Sequence, residues 1–146
     1  MARITPFLWF DTGALEQALR FYPSVFPGAR VVSKGPTSAE FELLGQRFLA
    51  LEAGPTYKFN EAVSFFIHCE DQAGVDYYWN ALTADGGSES MCGWLKDRFG
   101  LSWQVIPEAL GRHLGDPDPA RARRALQAML KMRKIVVADL EAAAAG

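Results

Sequence analysis

Two stretches decide how this chain folds: Thr5-Pro-Phe-Leu-Trp-Phe-Asp11 and Val63-Ser-Phe-Phe-Ile-His-Cys69. Each is an apolar run long enough for a buried strand, and each is followed by a helical pattern carrying an aromatic pair and a glycine stop. The first leads into Ala18-Leu-Arg-Phe-Tyr22 and ends at Phe26-Pro-Gly28. The second leads into Gly74-Val-Asp-Tyr-Tyr78 and ends at Leu82, then Gly86-Gly87. A unit written twice has to pack its apolar faces against something, so the two copies are expected to pair and to form a cleft.

Working outward from the first run, Ile4–Phe10 reads as a strand. The helix after Thr12-Gly13 places Leu15, Ala18, Leu19, Tyr22 and Val25 on one side. Three short strands follow, near 30–34, 40–44 and 47–52, the last two joined by a tight turn at Gly45-Gln46. In the second copy, a strand over 62–69 and a helix from Asp71 to about Ala84 precede a polar loop, Asp85–Ser90. A hairpin then runs from Cys92–Lys96 through Asp97-Arg-Phe-Gly100 to Leu101–Ile106, with Pro107 as a stop. On this reading the second copy is one strand shorter than the first. From Gly115 the composition changes. Asp118-Pro119 starts a helix whose apolar stripe is Ala122, Leu126, Met129 and Leu130, and the Ala-rich tail forms another, docking on the core or on a partner subunit.

Composition narrows the function. The 146 residues fit one domain, with copy one at about 1–55, copy two at about 60–110 and a helical extension from about 116 to 146. A formal charge of −2 argues against a general nucleic-acid or membrane-surface role. No early apolar run suits a signal peptide or a span, so cytoplasmic is the default expectation. Two cysteines, Cys69 and Cys92, are too few for a disulfide scaffold and have no C-x-x-C spacing. The cations between Pro119 and Lys134 suit either an anionic partner or a solvated helix face; the acids flanking the helix favour the second.

The order of elements, with Ile4-Thr-Pro-Phe-Leu-Trp-Phe-Asp11, Phe21-Tyr22, Gly45-Gln-Arg-Phe48, Lys58-Phe-Asn-Glu61, Tyr77-Tyr-Trp79, Cys92-Gly-Trp-Leu-Lys-Asp97 and Gly100-Leu-Ser-Trp-Gln104, resembles the vicinal oxygen chelate (glyoxalase and bleomycin-resistance) superfamily. Its PhnB-like branch, often labelled 3-demethylubiquinone-9 3-methyltransferase, is the nearest likeness. The resemblance implies an α+β fold of paired βαβββ modules, their mixed sheets curled into a half-open cup, with C-terminal helices added and a homodimer as the usual assembly. It also implies a divalent metal held in the cup by His, Gln or Glu from four strands.

The residues at those positions depart from that pattern. By analogy they are Thr5, Glu52, Ser64 and Gln104, and a one-residue shift in the fourth strand would turn Glu52 outward. Hydroxyls and a neutral amide are poor transition-metal ligands. No cofactor is therefore expected, with a shifted metal site of Glu52, His68 and Gln104 as the alternative. The cup lining expected from strand alternation is Phe7, Trp9, Glu52, Ser64, Phe66, His68, Trp94, Ser102 and Gln104, with Trp103 replacing Trp94 if the hairpin register shifts. Lys58, Asn60 and Glu61 either rim the cup or cap the next strand.

Three functions follow. The first is a metal-free protein binding a small apolar or aromatic molecule. The second is a metal-dependent lyase, isomerase, transferase or dioxygenase. The third is an interaction protein acting through its tail, which truncation after Leu114 would disable while leaving the core folded. Methyl transfer is not expected, since no G-x-G element cradles a nucleotide-like cofactor.

Overall fold

The computed structural model describes residues 1–146. The chain forms two compact units, Met1–Phe59 and Asn60–Gly146.

In the first unit the elements are β1 (Phe7–Phe10), α1 (Ala14–Val25), β2 (Arg30–Lys34), β3 (Ser38–Leu43) and β4 (Gln46–Glu52). The sheet order is β1-β4-β3-β2, with β1 parallel to β4 and the other pairs antiparallel. α1 buries Leu15, Ala18, Leu19, Phe21, Tyr22 and Val25, and on the sheet Leu8, Phe10, Phe41, Phe48 and Ala50 are buried. Tyr22 stacks on Phe41 at 5.9 Å and Phe41 on Phe48 at 5.3 Å. β1 begins three residues later than the sequence suggests, and Ile4 stays exposed. The β3–β4 turn is Leu44-Gly45, both with positive φ (47° and 82°), as a twisted two-residue hairpin requires. The expected turn was one residue later. The pairing that buries Phe41 against Phe48 sets the register and aligns Leu43 with Gln46, which puts Gln46 in the strand.

The second unit repeats the plan with β5 (Ser64–Cys69), α2 (Gln72–Thr83), β6 (Ser88–Glu89), β7 (Trp94–Lys96) and β8 (Ser102–Pro107). Its order is β5-β8-β7-β6, with β5 parallel to β8. Asp71 caps α2 by accepting the Gly74 N–H at 2.9 Å, and Val75, Trp79 and Leu82 are buried. The segment expected to be only a loop contains β6, so this copy is not a strand short. Its two polar residues pair with β7 at the sheet edge and carry no apolar signal. Gly87 is required there, because a Cβ would lie 2.6 Å from the Leu82 carbonyl oxygen.

Beyond β8 the chain turns at once into α3 (Glu108–Leu114), which Pro107 concealed, and then forms α4 (Pro119–Met129) and α5 (Val137–Ala145). Ile106, Leu110, Ile135 and Leu140 form one buried cluster. The segment before α5 is tied down: Cys92 N–H donates to Met132 O (2.7 Å), Gly93 N–H to Arg133 O (2.8 Å), and the Gln72 amide bridges Ile135 O and Val137 N–H. α5 therefore docks on this unit's core. Truncation after Leu114 would strip that core, contrary to the expectation of a dispensable tail. The stripe expected on α4 is half right: Met129 packs against the Ile106 cluster and Ala122 is half-buried, but the two leucines are not enclosed. Ala125 is buried, while Leu126 and Leu130 are 41% and 54% exposed. The cations are largely accounted for by pairs: Arg121 with Asp116, Lys134 with Asp76, Arg133 with Glu89. Arg124 donates to the carbonyls of Ala143 and Ala144 at the C-terminus of α5, where a cation also suits the helix dipole. No helix is long and apolar enough to cross a membrane.

Candidate functional site

In β5 the buried Ile67 and Cys69 turn towards the α2 side, which leaves Ser64, Phe66 and His68 on the other face. β8 repeats the split, with Trp103 and Val105 buried on the α2 side. Residues directly opposite each other across a ladder share a face, so the strands lay out rungs. One rung runs Ser64, Ser102, Lys96, Ser88. The next runs Phe66, Gln104, Trp94, and the third pairs His68 with Ile106. Six residues expected in the site, Ser64, Phe66, His68, Trp94, Ser102 and Gln104, thus lie on one sheet face. Phe66 is 45% exposed there and its ring lies 4.6 Å from that of His68. The Gln104 amide donates to Ser64 Oγ at 3.0 Å. Trp103 points the other way, its indole N–H donating to Asp97 at 2.9 Å.

At the polar rung is a cavity of about 260 Å³, walled by Ser88, Ser90, Trp94, Lys96, Ser102 and Glu61. The Lys96 ammonium pairs with the Glu61 carboxylate, and this contact, ahead of a backbone N–H, holds the Glu61 carboxyl below its ordinary pKa. Asn60 plays the capping part instead, accepting the Ala62 N–H. Ser102 is 1% exposed, and its hydroxyl has no hydrogen-bond partner.

The hairpin register that sets these rungs comes from Asp97, which is buried in the β7–β8 turn. Its carboxylate accepts the N–H groups of Phe99 (2.9 Å), Leu101 (3.1 Å) and the Trp103 indole (2.9 Å). Sequence reasoning passed over Lys96 and Ser88. The signal for Lys96 was its strand parity with Trp94; Ser88 lay in the unrecognised strand.

In the first unit, Phe7 (58% exposed) and Trp9 occupy the face of the sheet opposite Leu8 and Phe10. The Trp9 indole donates to Gly54 O at 2.9 Å and meets the edge of Tyr57 at 4.9 Å. Glu52 does not join them. It shares strand parity with Phe48 and Ala50, and its carboxylate accepts the Leu15 N–H at 3.1 Å, satisfying a free amide of the first turn of α1. This is the outward orientation that a one-residue shift implied. A second cavity, about 300 Å³, lies beside it; there Glu16 pairs with both Arg20 (3.5 Å) and Lys34 (3.6 Å).

These donors do not fit a divalent transition metal. No three His, Cys, Asp or Glu side chains converge anywhere in the chain, and the Gln104 amide is turned to a hydroxyl. Cys69 is not a prepared nucleophile. Burial, then the charge of Asp71, pushes the Cys69 thiol up to about 11, and Cys69 lies on the opposite face from His68.

Two βαβββ units, each pairing its first strand in parallel with its last, define the glyoxalase-like class of the vicinal oxygen chelate superfamily. The family model described as 3-demethylubiquinone-9 3-methyltransferase matches residues 2–106, and the chain belongs to this PhnB-like family. A putative 3-demethylubiquinone-9 3-methyltransferase, PhnB protein, from Bacillus cereus is 30% identical over 73% of this chain and 99% of that one, with a TM-score of 0.64. Two further structures share the fold. Protein PA1353 from Pseudomonas aeruginosa is 21% identical, with TM-score 0.56 and coverage of 74% and 98%. The fosfomycin resistance protein FosX from Listeria monocytogenes, complexed with Mn(II) and sulfate, is 12% identical, with TM-score 0.58 and coverage of 78% and 96%. No curated protein matches the chain.

Proposed function

We propose that this protein is a cytoplasmic, homodimeric binding protein for a small apolar or aromatic molecule, held without a metal. The carrying observation is the aromatic rung of the second unit, with Phe66, Trp94 and Gln104 in line and His68 beside them on an accessible face. An apolar surface with a few fixed polar groups is the usual form of a small-molecule site. Phe7 and Trp9 form a surface of the same kind on the first unit's own sheet. The large apolar side chains left exposed, Phe7 and Tyr77 among them, support the homodimer. The metal-dependent alternative lacks a supporting donor set. Methyl transfer, which the family description suggests, lacks a glycine-rich loop at a helix start to hold a methyl donor.

The test uses chelator-treated protein and a neutral planar probe, 2-naphthamide, followed by NMR of the tryptophan indole N–H signals. A saturable shift of the Trp94 signal, lost in Phe66→Ala, is expected. No shift at any probe concentration, or binding that appears only with added divalent metal, would overturn the proposal.

A further inference from the structure

The hydroxyl of Ser102 is enclosed yet unpartnered, whereas buried polar side chains almost always have a partner. Its neighbours in the rung are Ser64, whose oxygen already accepts from Gln104, and Lys96. It forms part of the wall of the 260 Å³ cavity, alongside Ser88 and Ser90. Hydroxyls placed around one ammonium form a donor set for an oxyanion. The chain itself supplies one such anion, because the Glu61 carboxylate sits on Lys96 from the exposed connection before β5.

We infer that the polar rung binds the carboxylate of a planar apolar acid, which displaces Glu61 from Lys96 and gives Ser102 Oγ the partner it lacks. This rests on the aromatic-rung reading above, since the body of such an acid would lie along Trp94, one rung away. The charge balance selects a monoanion. Lys96 is the only cation on the cavity wall, and Glu61 and Glu89 also border it. Glu89 is engaged by the Trp79 indole (2.8 Å) and by Arg133 (3.7 Å), so its charge stays in place. A dianionic phosphate would bring a second negative charge with no cation to meet it.

The experiment compares 2-naphthoate, 2-naphthamide and 2-naphthyl phosphate, by calorimetry and by the Trp94 indole signal, in wild type, Glu61→Gln and Lys96→Met. Lys96 and Glu61 are solvent-exposed to a degree that makes both substitutions compatible with folding. Wild type should prefer naphthoate to the amide. Glu61→Gln should tighten naphthoate about three- to fivefold, the scale of an exposed ion pair, and leave the amide unchanged. Lys96→Met should erase the preference while retaining amide binding. Equal binding of acid and amide in wild type and Lys96→Met would overturn the carboxylate inference and leave the aromatic reading standing. A preference for the phosphate would overturn the monoanion assignment. If no probe moves the Trp94 signal, both readings fall.

Discussion

Replacing Ser102 by Ala should make the free protein more stable. The hydroxyl lies in a residue 1% exposed and has no hydrogen-bond partner, so folding strips it of water and returns nothing. A buried polar group left unsatisfied costs about 1–3 kcal/mol. Against that, Ala gives up the contacts of one oxygen atom, at about 0.1–0.2 kcal/mol per atom pair. The net gain is about 1 kcal/mol, which for a chain near this size raises Tm by about 2–4 °C. Equilibrium urea unfolding reads the change directly: the midpoint should rise while the slope m stays constant. The same variant should bind 2-naphthoate more weakly than wild type, so stability and binding move in opposite directions. A loss of stability of 1 kcal/mol or more would mean that the hydroxyl already has a partner in the free protein. That result would remove the anchor of the proposed carboxylate site.

Three further outcomes test the framework around that site. Asp97→Ala should cost about 3–5 kcal/mol, because it orphans the N–H groups of Phe99, Leu101 and Trp103 at once; thermal unfolding checks this, and a loss under 1 kcal/mol would refute it. Leu140→Ala should cost about 2–5 kcal/mol and loosen the packing over Ile106, seen as faster amide exchange in β8; unchanged exchange would show that α5 does not support that strand. Cys69 has a thiol pKa raised from the ordinary 9.0 to about 11, so the unfolded chain loses this proton first as pH rises. Its contribution is complete below pH 9 and is lost as pH rises through about 11, and Cys69→Ala should flatten that decline. Reaction of Cys69 with iodoacetamide at pH 8 without unfolding would contradict its burial.

The repeat made the fold legible because each copy states the same local facts in the same order. A strand, a 3.6-residue apolar period and a glycine stop leave little choice of architecture once the unit occurs twice. The face carrying Ser64, Phe66 and His68 was placed by the family resemblance, which marks Ser64, and by strand alternation from there. Burial of Ile67 and Cys69 fixes the parity of β5, and parity admits only two answers. Other features lacked a local signal. β6 is two polar residues held by its neighbour, and α3 hides behind a proline that ends a strand while starting a helix. On α4, Met129 of the expected stripe does pack on the core, but the two leucines pulled that stripe too far towards solvent. The residue enclosed is Ala125, with Arg124 beside it engaging the end of α5, and neither fact is visible from hydrophobic period alone. The partners of Glu52 and Lys96 depend on cross-strand register, and in the β7–β8 hairpin the three bonds to Asp97 hold that register.

The C-terminal helices bear on the size of the proposed ligand. The family match ends at Ile106, and Ile106 is where α3 and α5 converge, through Leu110 and Leu140 together with Ile135. Ile106 is on the same face as Gln104 and Ser102, beside His68. One end of the face is therefore capped by apolar side chains, the middle is aromatic, and the other end holds the hydroxyls and Lys96. From Ser102 to Ile106 is four residues of strand, about 13 Å at the usual rise. With the Ile106 end covered, about two rungs remain for a ligand, roughly 7 Å between the polar and aromatic positions and their surroundings. That suits a one- or two-ring acid and disfavours a long acyl chain, which would have to pass the helices. Loosening them with Leu140→Ala should accordingly relax the length limit without altering the preference for a carboxylate, because the two are set at opposite ends of the same strand.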